Sequence, residues 1–226
     1  MFWTVLGEVL TPGLGAALSP MSIVAAVLLA SAPGGVRRSF LFALASFLAL
    51  TTVAMIVLLL SNGADVGVKS GPSTAVTVVR FIFGILFVVF AWITFKKRPR
   101  KGEKPQMQRW MSALDTMSTR RVLLLGLAMG FLNAKNLPLS INVATSIAET
   151  GASAAVADIG ILIFAALGSL GVLAPGLIKL LVPKDAERLL NATRSFFVDH
   201  NAAIMTVLLL MLGVNAIGKS LGPLFG

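Results

Sequence analysis

Gly130-Phe-Leu-Asn-Ala-Lys-Asn-Leu-Pro-Leu-Ser-Ile-Asn-Val-Ala144 sets an ammonium, three carboxamides and a proline inside an otherwise apolar run. Its second half has a precedent: Pro138-Leu-Ser-Ile-Asn-Val-Ala144 follows Pro20-Met-Ser-Ile-Val-Ala-Ala26 by 118 residues. Each copy lies in a hydrophobic segment long enough to cross a bilayer. Proline lacks an N–H and clashes with the preceding turn, so each copy interrupts a spanning helix. The same interruption in both halves of a duplicated membrane chain is the pointer to a transporter's binding site.

Composition agrees with a protein living in lipid. Apolar residues make up 57% of the 226, charged residues only 12%, and the mean hydropathy is +0.91, too little polar surface to cover a water-soluble globule. With no cysteine and one histidine, disulfides, thiolate sites and histidine-built metal or relay sites lack raw material, and no cofactor or metal is expected. The expected energy source is an ion gradient, a cargo gradient or a partner. No basic region precedes the first apolar run, which argues against a cleaved signal peptide.

Six apolar segments follow, at about 3–31, 36–61, 74–95, 122–148, 151–182 and 201–221. The expected class is an all-α integral membrane protein, six transmembrane helices arranged as two inverted three-helix repeats with helices 1 and 4 discontinuous. Its parts are an N-terminal repeat at 1–95, a basic loop at 96–121 and a C-terminal repeat at 122–226. An odd number of spans per repeat forces the second copy to enter the membrane from the other side. Loops after spans one, three and five hold fifteen of the nineteen basic residues, which predicts both termini outside the cytoplasm of a bacterial plasma membrane. The net charge of +10 is then a topology and lipid-headgroup signal, and nucleic acid is not needed as a partner.

Lys135 is the most informative single residue. It lies roughly 20 Å along a helix begun at Val122, beyond snorkelling reach of either interface, so it must face the bundle interior, a partner or water. One reading is structural: its three hydrogens go to the carbonyls freed at the break, or it pairs with Asp158 or Glu8. The other is functional: with the helix N-termini near Pro20 and Pro138, it draws an anionic or carbonyl-bearing headgroup to the midplane. Asn133, Asn136 and Asn142 either satisfy unpaired backbone or bind cargo. Ser22 and Ser140 suit helix packing, and Asp158 is a candidate for proton coupling.

Two amphipathic segments are expected on the cytoplasmic face. In one, Met107, Trp110, Met111, Leu114 and Met117 share a helical face; the other runs from Lys184 to His200. The glycines of Pro12-Gly-Leu-Gly15 and of 168–176 read as close helix packing.

Three plus three spans, the early proline break and Asn133-Ala-Lys-Asn136 resemble the LysE superfamily of small exporters. More closely, Gly130 to Leu139, with the Trp-bearing amphipathic segment before it, resembles the GAP or Sap branch of glycopeptidolipid- and sulfolipid-addressing proteins. The resemblance implies movement of complex glycolipids toward the cell surface and a transport core of Ser19, Pro20, Asn133, Lys135 and Asn136. Where that family typically has Asn-Pro-Lys-Asn, Ala134 replaces the proline here, which leaves Pro138 as the expected main breaker. The leading expectation is therefore a non-enzymatic transporter exporting or flipping an envelope lipid or related anionic or zwitterionic molecule by alternating access. Membrane lipids and a small-molecule or glycolipid cargo are its expected partners, and a homodimer is plausible for so small a bundle. The alternatives are an amino-acid exporter, a scaffold for lipid-synthesis machinery and an intramembrane enzyme. The last lacks a catalytic dyad in the sequence.

Overall fold

A computed structural model describes residues 1–63, 74–96, 98, 114, 117–133 and 135–225, and among these it is helical with no strand. The helices are α1 (Phe2–Ala17), α2 (Pro20–Ser31), α3 (Gly35–Gly63), α4 (Thr74–Lys96), α5 (Thr119–Phe131), α6 (Asn136–Glu149), α7 (Ala154–Leu181), α8 (Ala186–Asp199) and α9 (Asn201–Phe225). Among the described residues three helices are long and apolar enough to cross a membrane, at Gly35–Ser61, Ala154–Leu181 and Asn201–Gly222. There are up to five if α1 with α2 and α5 with α6 each count as one bent span. Large apolar side chains such as Leu44, Leu48, Ile82, Trp92, Leu162 and Leu210 face outward, the surface a bilayer accepts and water does not.

Both expected interruptions are there. The first pair bends by 61° and the second by 62°. Pro20 opens α2, where a missing N–H costs nothing because the first helical donors have no intrahelical partner. The second break differs from the expectation. It falls at Leu132–Lys135, and Pro138 sits buried in the first turn of α6 as a helix starter, so Pro138 does not make the break. The chain has already left α5 after Phe131, and Asn133 turns its carbonyl to the Asn136 N–H at 2.9 Å.

α3 and α7 pack together at the centre. Around them several contacts match under an exchange of halves: α1 lies on α7 as α5 lies on α3, and α2 meets α7 as α6 meets α3, whereas α1 on α6 has no comparable α5-on-α2 contact. Small residues permit these approaches. A Cβ on Gly126 would lie 2.7 Å from both the Ala45 Cβ and the Phe42 carbonyl, and Gly130 abuts Ala49, so Gly126-x-x-x-Gly130 seats α5 on α3. Gly168 faces Ala16 and Leu50, and Gly13 faces Leu167, which makes the glycines of α1 and α7 packing residues.

α2 is apolar all round and buried except at Met21 and Ser31, as a helix without a polar face must be. The amphipathic segment expected over Lys184 to His200 is α8. It turns Leu190 and Phe197 into the Ile23, Val27 and Ala30 cluster of α2 and leaves Leu189 and Phe196 exposed. The other amphipathic helix, 107–117, lies outside the described residues except for Leu114 and Met117. Leu114 is fully buried in the Val24, Phe42 and Val122 cluster, and Met117 packs against that cluster. α4 packs principally along α9, where a Cβ on Gly213 would stand 2.8 Å from the Gly84 carbonyl.

Candidate functional site at the paired helix breaks

A helix leaves its last four carbonyls without intrahelical donors. At the end of α1 each of the four has a partner. The Leu14 carbonyl accepts from the Leu18 N–H at 3.2 Å, and the Ala17 carbonyl accepts from the Ser19 N–H at 2.9 Å. A continued helix would have brought the Ser19 N–H to Gly15 and the residue-20 N–H to Ala16. Ser19 has turned away and Pro20 has no N–H, so both carbonyls are orphaned. The Lys135 ammonium, from the other half of the chain, donates to Gly15 O at 2.5 Å and to Ala16 O at 2.9 Å.

The charge is well suited to that place. Lys135 is only 1% exposed, and a lysine at the centre of a membrane costs about 2.5–3.5 kcal/mol even on the lenient insertion scale. Two carbonyls and the negative end of α1's dipole offset part of that cost. Neither Asp158 nor Glu8 is its partner. Asp158 is exposed in the first turns of α7, away from the break residues, and Glu8 pairs with Lys219.

The second break is finished by a neutral group. Asn136 Nδ2 leans on the Met129 and Gly130 carbonyls at 3.5 and 3.4 Å, long and weak bonds, while the Leu132 N–H reaches Ala128 O at 2.7 Å. A second tie joins the breaks: Asn133 Nδ2 donates to Ser19 Oγ at 2.8 Å, and the Ser19 and Ser22 hydroxyls share a bond of 3.1 Å. Asn136 Oδ1 and Ser140 Oγ are buried with no hydrogen-bond partner among the described residues. The structure thus brings Ser19, Pro20, Asn133, Lys135 and Asn136 into one region. Pro138 and Ser140 lie in the following turn, Asn142 is half-buried further along α6, and Asp158 does not join them.

A polar group that sequence reasoning missed lies at the far end of α6. Arg80 Nη2 donates to Thr145 Oγ1 at 3.2 Å and pairs with Glu149 Oε1 at 3.1 Å. Lys219 Nζ pairs with Glu8 Oε2 at 2.8 Å. Arg80 within the apolar run 74–95 was the available signal, since a guanidinium there needs a partner. No curated protein and no solved structure matches the chain. The family model described as Sap, sulfolipid-1-addressing protein, matches residues 9–222, nearly the whole length over which the broken helices and their lysine bridge are built, and the chain belongs to that family.

Proposed function

We propose that this chain is a plasma-membrane transporter that exports or flips an envelope glycolipid, or a related anionic or zwitterionic amphiphile, by alternating access around the two breaks. The observation that carries the reading is the Lys135 ammonium spanning from one break to the carbonyls of the other. Backbone carbonyls left open at mid-membrane are costly unless they line a site or are capped. Here the cap is a side chain that can leave. In the closed state it rests on Gly15 and Ala16, and when the halves part it turns to the cargo's anionic group, with Asn133 and Asn136 as carboxamide partners.

Counting α4 as a span and each bent pair as one gives six spans. The exchange-of-halves packing supports an inverted pair of three-helix repeats at 1–95 and 122–226, of the LysE type. The clustering of basic residues supports extracytoplasmic termini. The family's lipid-addressing description supports a lipid cargo. No covalent chemistry is assigned to the chain.

The test is to inactivate the protein in its native host, complement with wild type or Lys135→Ala, and compare surface-extractable lipids with extracellular amino acids. Loss of one surface lipid with intracellular accumulation, rescued by wild type alone, is the expected result. Rescue by both would replace transport with a scaffold role, and an amino acid retained in the cytosol with unchanged lipids would replace the cargo.

A further inference from the structure

We propose that the pocket where α1 begins and α9 ends is a second binding subsite, taking the sulfate- or phosphate-ester headgroup of a lipid. There Glu149 and Glu8 occupy Arg80 and Lys219 until the headgroup displaces them. The proposal rests on the lipid-transport reading and adds a site to it, separate from the breaks.

The cavity measures about 450 Å³ and carries both ion pairs on its walls, with Thr4, Ser146 and Thr150 supplying hydroxyls. That volume is within the roughly 300–1,000 Å³ of ordinary ligand pockets. The Arg80 side chain is 8% exposed, yet Nη2 makes both of its bonds. Both bonds come from one of the three guanidinium nitrogens. A guanidinium presents five donors in a planar fork that matches a tetrahedral oxyanion on two sides, and one carboxylate oxygen uses little of it. Lys219 adds a second cation, paired with Glu8. Lys219 and Glu8 are 38% and 32% exposed, too open for their pair to act mainly as a stabilising contact.

The surroundings favour a lipid over a free anion. Val78 on α4 and Leu221 on α9 are exposed apolar residues two positions from Arg80 and Lys219, on neighbouring flanks of the same helices and outside the pocket lining, so a headgroup in the pocket has apolar helix surface around the site for its chains to follow. The pocket also joins two bodies. α4 and α9 pack on each other, and the ion pairs tie them to α1 and α6. A headgroup that takes over the cations releases the carboxylates and removes two of the ties between the α4–α9 pair and α1 and α6, leaving Leu212 of α9 packed on the core.

The probe is native mass spectrometry of the full chain in phosphatidylcholine nanodiscs holding either sulfated galactosylceramide or its unsulfated parent. A preference of about ten-fold for the sulfated lipid is expected, the worth of one charge-assisted bond. It falls to near parity in Arg80→Gln and Lys219→Gln, rises in Glu149→Gln, where a competitor is neutralised, and persists in Lys135→Gln. If Arg80→Gln does not fold, Lys219→Gln at its open position decides. Full preference in Lys219→Gln, or preference lost only in Lys135→Gln, overturns the pocket and leaves the transport reading standing. Displacement by millimolar inorganic sulfate overturns the lipid assignment in favour of a free anion. Selective binding here with unchanged surface lipids in the inactivated host keeps the pocket and sinks the transport reading.

Discussion

Replacing Lys135 with methionine keeps the length of the side chain and removes its charge and donors. Two hydrogen bonds from a charged donor are lost, at about 1.5–3 kcal/mol each, leaving two bare carbonyls. Removal of the buried charge returns about 2.5–3.5 kcal/mol. The net expected loss is about 1–2 kcal/mol. If Lys135 stands in for the donor that Pro20 lacks, Pro20→Ala should restore part of that loss by returning an N–H to Ala16. The rescue is worth about one hydrogen bond, 0.5–1.5 kcal/mol, and the same change should be near neutral in wild type.

Four proteins suffice, unfolded reversibly in mixed micelles by rising dodecyl sulfate, and their cycle gives the coupling directly. The bend gives a second reading, because the chain has no cysteine and accepts paired spin labels at Leu10 and Ser31. At about 1.5 Å per residue those positions stand about 31 Å apart along a straight helix and about 27 Å apart at the 61° bend. The double variant should lengthen toward the former. Additive stabilities within about 0.3 kcal/mol, or a Lys135→Met protein more stable than wild type, would refute the substitution of donors.

Gly213→Val should part α4 from α9 and cost about 1–3 kcal/mol through overpacking, whereas Gly7→Ala, with nothing within 4 Å of its new Cβ, should raise the thermal midpoint slightly. Asn133→Ala removes the tie to Ser19 and should cost about 0.6–1.7 kcal/mol in the same unfolding assay, with no effect if that bond is absent in micelles. Leu190→Ala empties a fully buried position under α2 and should cost about 2–5 kcal/mol, with the loss of amide protection confined first to α2 and α8 when followed by hydrogen exchange.

Pro20, the deep lysine and the repeated hydrophobic runs carried the broken helices, because an interruption of the backbone ladder and a charge inside an apolar run are local properties that a sequence displays. The exact second break was not legible. Ala134 removes the proline that would have marked it, and the turn depends on Asn133 and Asn136 satisfying carbonyls through space. The partner of Lys135 was half legible: freed backbone carbonyls were one expected destination, but the acceptors are Gly15 and Ala16 at the other break, whose backbone atoms carry no side-chain signal. The Arg80, Glu149, Glu8 and Lys219 group joins four helices, and only their packing brings it together. The charge in α4 was visible, and its acid lay 69 residues away.

A backbone N–H belongs permanently to its own strand of chain, but the donor that finishes α1 is borrowed from the opposite half. Neither half is therefore a complete object: the first ends its broken helix in two hungry oxygens, and the second carries a charge with nowhere to rest. The two are interlocked as a key is with its lock, so the fit of one half is a message about the position of the other. Separating the halves onto two chains would leave each unfinished until they met.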